Sequence, residues 1–529
     1  MTPARPVTKL GAGQAASLVR RLAGPVDAFA LHAALAGDGH GTPPLFIQRT
    51  GGPALIVEAA AVRAVCNGQQ VVLDALTENG RVALANLAVT LAGHIVEQAP
   101  DRLVARFERC EAPEEFDRAH AATPFDVLRA LAFGHAPIDR DEPFALAAAG
   151  VIGFDHVDLF ELLPPAPEGD FPDYVFLLAE SLIVVEPTGA GRLVCAAFGS
   201  DDPDTAHRQL SLAQERLARL SARVDFAREI GTPPPAAVVP SDAPVTTDLD
   251  DTQYAAVVAR LKERVAAGDI FQVVPSRAFR TACPDPQAVF ARLGAADPSR
   301  YLFFVETGFG TLFGASPETA VAVRRVGDEK VVIVSPIAGT RPRGGTIDED
   351  DRMEADLRLD QKEVAEHMML VDLARNDVAR VAEPGTRRVA SLLSVERFAR
   401  VMHLVSRVEG RLEPDRDAID ALIACGTCGT LSGAPKLRAL ELIREAETSA
   451  RGPYGGAVGW IASDGSMDTS IVIRSALVRD GIAEVRAGAG VVHDSNPAAE
   501  AAETRQKASA ILSAIRGEAP RLAAAKVAV

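Results

Sequence analysis

Residues 231–248, GTPPPAAVVPSDAPVTTD, constrain this chain more than any other stretch. Proline, alanine and small polar residues favour extended backbone that packs poorly. The segment reads as a linker between an N-terminal region, 1–230, and a second region, 249–515, in which strands and helices follow one another closely. The last residues, 516–529, end in APRLAAAKVAV and read as a frayed tail. A chain of 529 residues is long enough for more than one core or for one large composite fold.

Short β-like runs fill the first region: LFIQRT (45–50), ALIVEAAAVRAV (54–65), QQVVLDAL (69–76) and RLVCAAFGS (192–200). DYVFLLAESLIVVEP (173–187) reads as a buried strand pair or one bent strand closing at Pro187. Helical spacing appears at 125–134 and 204–224. After the linker, Tyr254, Val257, Val258, Leu261 and Val265 make one apolar helix face, with Thr247 or Asp248 near its start and Gly268 at its end.

Charge narrows the classes of function. The 55 basic and 71 acidic side chains leave a formal charge of −16, which repels nucleic acid and anionic membranes. An anionic substrate would then need a local basic or metal-lined site. No apolar run approaches the roughly 18 residues of a membrane span. Arg20-Arg21 precede an Ala/Leu-rich stretch, but Asp27 and His32 interrupt it, so it reads as an amphipathic helix rather than an export signal. The six cysteines read as reduced cytosolic thiols. Cys425-Gly-Thr-Cys428 has no second pair and reads as packing.

Several residues carry possible chemistry. Glu366 opens EHMMLVDLARND, a helical pattern, and Glu500 and Glu503 share a face of a second helix. Acidic residues on helices are usually solvated. Arg474 lies in IVIRSAL, which reads as a buried strand, and an internal ion pair is its ordinary explanation. His403 in VMHLVSRV could be a hydrogen-bonded core residue. GTLSGAPK (429–436) lacks phosphate-loop spacing, and GFGTLFG (308–314) fails the dinucleotide pattern.

Taken in order, FQVVPSR, GASPE, PIAGTRPRG, EHMMLVDLARND, GTLSGAPK, YGGAVGW, IVIRSAL, GAGVVHDS and ETRQKA resemble the chorismate-utilising enzymes, most closely the large subunits (component I) of anthranilate synthases. The match is dense from about 250 to 510 and thinner from 1 to 225. It implies an α+β fold, with large antiparallel β-sheets forming a sandwich flanked by helices. It implies Glu366 and Glu503 as Mg²⁺ ligands, with Glu500 in the same acidic cluster, and oxygen donors suit that hard ion. It implies Glu318 as the acid that protonates the departing C4 hydroxyl, and His403 as a substrate contact or proton acceptor. Thr430, Gly339, Thr340, Gly488, Ala489 and Gly490 would contact chorismate. Arg474 and Tyr454 would clamp the enolpyruvyl carboxylate, with Lys507 as a second anion contact.

Two further positions imply the nucleophile. Water-adding relatives carry lysine where this chain has Gln272, and aminodeoxychorismate-forming relatives carry lysine where it has Ala338. With neither lysine present, the resemblance implies ammonia, conversion of chorismate to anthranilate and pyruvate, and a separate glutamine amidotransferase subunit (component II) as its source. An isochorismate or aminodeoxychorismate synthase, an enzyme stopping at the amino intermediate, and a non-catalytic sensor are the rivals. In the family the N-terminal part binds tryptophan as inhibitor. Its usual Leu-Leu-Glu-Ser element reads Phe46-Ile47-Gln48-Arg49 here, and a Pro-Tyr-Met string reads Arg300-Tyr301-Leu302. Arginine in place of a small hydroxyl implies weak or absent tryptophan inhibition.

Overall fold

The computed structural model describes residues 10–231 and 243–518, apart from 113, 115–117, 119–120, 139–140, 297–298 and 399–400. Most of the expected linker and tail therefore lie outside the described residues. Among those described, 23 strands join one continuous, almost entirely antiparallel ladder, with helices between them.

Alternation along the strands builds the layers, because successive side chains point to opposite faces. In the strand Leu45–Arg49, Leu45 and Ile47 enter a core made from strand residues, including Phe303, Val458 and Trp460. Phe46 points the other way, to a core closed by the helices Ala28–Ala36, Pro203–Ile230, Pro286–Ala296 and Pro497–Arg516. A third core packs the helices Glu78–Thr90, Phe125–Phe133, Gln361–Ala379 and Ala418–Cys425 against other strand faces. The result is the helix-flanked α+β sandwich implied by the resemblance.

Two backbone seams tie the early part of the chain to the late part. The 45–49 strand pairs with Tyr301–Glu306, and Ala148–Ile152 pairs with Ala457–Ile461.

Several local expectations are met and several are refined. Tyr174–Val185 is one strand, buried at every position, and not a pair. Arg20 and Arg21 lie in the strand Gln14–Pro25, and the helix starts only at Ala28, after an Asp27 cap. The helix Asp251–Ala266 is capped by Asp250 in a reciprocal box with Gln253; Thr246–Thr247 is instead a short strand. All six cysteines are free thiols.

Candidate active site

The sequence folds PIAGT into an irregular edge. The strand Ile337–Pro342 pairs with Val401–Arg411, and the register slips between Ala338 and Thr340. Gly339 absorbs the slip at φ +73°, a conformation that a Cβ disfavours. The slip turns its carbonyl to His403, whose Nδ1 lies 3.0 Å away; Thr340 Oγ1 is 3.1 Å from the same nitrogen. A carbonyl only accepts, so Nδ1 carries the proton and Nε2 keeps a lone pair. Burial, with a smaller contribution from the charge of Arg474, lowers the His403 pKa and favours this neutral form.

Glu318 sits in the short turn between the strands Thr311–Ser316 and Thr319–Val326 and is 7% exposed. Thr430 Oγ1 donates to its Oε1 at 3.0 Å. Burial pushes its pKa up to about 8, against the Thr430 hydroxyl, the Ile337 N–H and the charges of Lys507 and Arg300. At neutral pH it therefore holds a proton. A small cleft opens beside it, lined among others by Thr430, Ser335, Leu370, Asp377 and Cys428.

The carboxylates come from two helices. Glu366 lies on Gln361–Ala379, and Glu500 and Glu503 lie on Pro497–Arg516. Burial raises the pKa of Glu366, and the charges of Glu363, Glu500 and Glu503 add to the shift. Burial likewise raises that of Glu500, helped by Glu503. Burial opposes ionisation of Glu503 too, but Lys507 prevails and lowers its pKa, with Nζ 2.7 Å from Oε1. Lys362 stands 3.7 Å from Glu366. No three acidic, histidine or cysteine side chains among the described residues converge tightly enough to form a closed metal cage. An open arrangement of mutually repelling carboxylates is nonetheless the donor set of a hard cation that keeps water or a substrate anion in its shell. The residues fit Mg²⁺ in that sense.

Arg474 departs from the sequence expectation. It is not within a strand: Met467–Ile471 ends before it, Ser475–Arg479 begins after it, and Arg474 has φ +50°. Two apolar β-branched neighbours hid this break. The kink directs its guanidinium to the helix, where Nη1 donates to the Lys507 carbonyl at 3.4 Å. Lys507 Nζ in turn donates to the Gly488 carbonyl at 2.9 Å. The glycines are close approaches: a Cβ on Gly488 would lie 3.1 Å from the Tyr454 hydroxyl, and one on Gly490 would lie 2.6 Å from Gln272 Nε2. Gln272 is buried, and its Oε1 has no hydrogen-bond partner among the described residues.

The sequence reading missed Tyr254, which appeared only as part of an apolar helix face. Its hydroxyl donates to the Pro275 carbonyl at 2.8 Å and accepts from the Ala489 N–H at 3.3 Å, fixing the GAG turn. It missed Asp468 as well. Of the residues expected at a regulatory site, Arg49 and Tyr301 meet at Asp468, Arg300 bonds Glu396 at 3.3 Å, and Leu302 is buried in the core.

This fold and constellation define a chorismate-binding protein. The chorismate binding enzyme family matches residues 72–513, and the chain belongs to that family. It is 46% identical to anthranilate synthase component 1 of Vibrio cholerae over 87% of this chain and 88% of that one. It is 45% identical to the pyocyanine-specific anthranilate synthase component 1 of Pseudomonas aeruginosa, over 87% of each. Among solved structures, anthranilate synthase component I from Streptococcus pneumoniae superposes with a TM-score of 0.66 at 28% identity, covering 87% of this chain and 92% of that one. The menaquinone-specific isochorismate synthase of Escherichia coli shares the fold with a TM-score of 0.66 at 19% identity, covering 96% and 95%.

Proposed function

We propose that this chain converts chorismate and ammonia to anthranilate, pyruvate and water. One observation carries most of the reading: Glu318 is buried, bonded to Thr430 and protonated at neutral pH, the state a general acid requires. Gln272 and Ala338 bring no amine to compete with ammonia.

Chorismate enters with its enolpyruvyl carboxylate toward Arg474 and Tyr454, with Lys507 as a second anion contact. Nitrogen bonds to C2 while the C4–O bond breaks, and Glu318 gives its proton to the departing hydroxyl, which leaves as water. Loss of a proton from nitrogen restores a neutral amine. His403 Nε2 accepts the C2 proton, the ring C3–O bond breaks as the aromatic ring forms, and the enolpyruvate that leaves takes up a proton at its methylene carbon to become pyruvate. Glu366 and Glu503, with Glu500 beside them, would hold Mg²⁺. When bound, the ion would neutralise the ring carboxylate and draw electron density from the ring. The protein's share is chiefly orientation and proton transfer.

The reading extends to a glutamine amidotransferase subunit as the ammonia source, to a cytoplasmic setting and to an N-terminal region, 1–230, that packs on a catalytic region, 249–515. Similarity to proteins named component 1 supports the partner. The absence of a helix long and apolar enough to cross a membrane, among the described residues, is compatible with the setting. Purified chain mixed with chorismate, Mg²⁺ and ammonium should produce anthranilate fluorescence and pyruvate in equal amounts. Unchanged chorismate, or a hydroxylated product, would overturn the assignment.

A further inference from the structure

A chain of hydrogen bonds runs from Arg49, in the first region of the sequence, to the hydroxyl of Thr319, the neighbour of the general acid. Arg49 ends the 45–49 strand and stands directly opposite Tyr301 in the ladder. Its Nη1 donates to Asp468 Oδ2 at 3.0 Å. The Tyr301 hydroxyl donates to Asp468 Oδ1 at 2.6 Å and lies 2.8 Å from Thr319 Oγ1. Tyr301 has one proton and gives it to the carboxylate, so Thr319 is the donor in the second bond. Thr319 is the residue next to Glu318.

The strand carrying Asp468 grips Glu318 from the other side. Ser470 Oγ and the Ile471 N–H both donate to the Glu318 carbonyl, at 3.1 and 3.0 Å. Asp468 is 6% exposed and Tyr301 1% exposed, so this network is shielded from water. Burial raises the Asp468 pKa; Arg49 is the first of the groups that partly offset it, followed by the Tyr301 hydroxyl, Arg324 and Arg300. Glu318 itself faces Thr430, Lys507, Arg300 and the Cys428 thiol.

We propose that Arg49 is a positioning residue for Glu318: it anchors the Asp468 carboxylate that accepts from Tyr301, and the Tyr301–Thr319 link fixes the backbone on which the acid stands. Arg49 makes no contact with substrate in this scheme. The inference rests on Glu318 as the general acid of the proposed reaction.

The test is ammonia-dependent anthranilate formation by the full chain, comparing wild type with Arg49→Lys, Arg49→Ala, Tyr301→Phe and the Arg49→Ala/Tyr301→Phe double variant. Arg49→Ala and Tyr301→Phe should each lower kcat about 10- to 100-fold, the range expected for misplacement by remote changes, while KM for chorismate stays within about twofold. The double variant should be no slower than the worse single one, because both break one chain. Arg49→Lys should recover part of kcat, and the alkaline limb of the kcat–pH profile should move to lower pH in the slow variants as water reaches Glu318. Wild-type kcat and an unmoved pH profile in Tyr301→Phe and Arg49→Lys would overturn the proposal, even if Arg49→Ala fails to fold. Additive losses, or losses confined to KM, would overturn it too. A wild type that makes no anthranilate would instead overturn the reaction on which it stands, and the wild-type measurement tells the two failures apart.

Discussion

Thr430 gives its hydroxyl proton to Glu318 at 3.0 Å, yet Glu318 remains a carboxylic acid near neutrality because burial outweighs that bond. A group protonated below about pH 8 acts as an acid only below that value. Activity with saturating ammonia should fall as pH rises through about 8, and Glu318→Gln should lose kcat by about 10²- to 10⁴-fold. Kinetics showing a plateau through pH 9.5 would contradict the assignment.

The same shift affects stability. The folded pKa of Glu318 is above its unfolded value near 4.5, so the unfolded chain ionises first. The stabilising contribution of the protonated acid is complete below about pH 4.5 and is lost as pH rises toward about 8. Glu318→Gln should therefore gain thermal stability relative to wild type across that interval and gain no more above it. Melting curves at pH 5, 7 and 9 measure this directly.

Glu503 is held by Lys507 and stands across from Glu366, with side chains 46% and 29% exposed. Glu503→Gln and Glu366→Gln should raise the Mg²⁺ concentration for half-maximal activation at least about tenfold. Calorimetric titration of Mg²⁺ in the presence of chorismate should show the same loss, and a chelator should abolish activity reversibly.

Gly488 has no room for a methyl group: its Cβ would lie 2.6 Å from the Pro275 carbonyl and 3.1 Å from the Tyr454 hydroxyl. Gly488→Ala should cost about 1–3 kcal/mol of stability and raise KM for chorismate. A variant with unchanged KM would remove Gly488 from the substrate wall.

Arg49 fills the space beside Tyr301, with its guanidinium centred 5.9 Å from the ring, and is paired with Asp468. Tryptophan should consequently inhibit weakly or not at all. Cooperative inhibition at micromolar tryptophan would contradict this.

Local signals gave only part of the candidate site: Glu500 and Glu503, three apart, had to share a helix face. Gly339, Thr340 and the other proposed substrate contacts were named through the family resemblance. The helix-flanked sandwich was legible through the family resemblance more than through strand patterns. What stayed hidden depends on distant partners. Arg474 breaks the strand pattern directly after the β-branched run Ile471-Val472-Ile473, and its guanidinium then bonds a carbonyl of a helix distant in sequence. Asp468 is one of three consecutive polar residues in the strand Met467–Ile471, with nothing in the sequence to single it out. Its importance comes from Arg49, 419 positions earlier. The Asp250–Gln253 capping box was present in the sequence, but Thr247 and Asp248 offered equally plausible starts.

The seams between 45–49 and 301–306, and between 148–152 and 457–461, mean that neither half owns all its edges. Nicking the chain between positions 231 and 243 should leave two fragments that co-purify, each supplying strands the other lacks. Swapping one half with that of a distant relative should succeed only if the matching ladder travels with it.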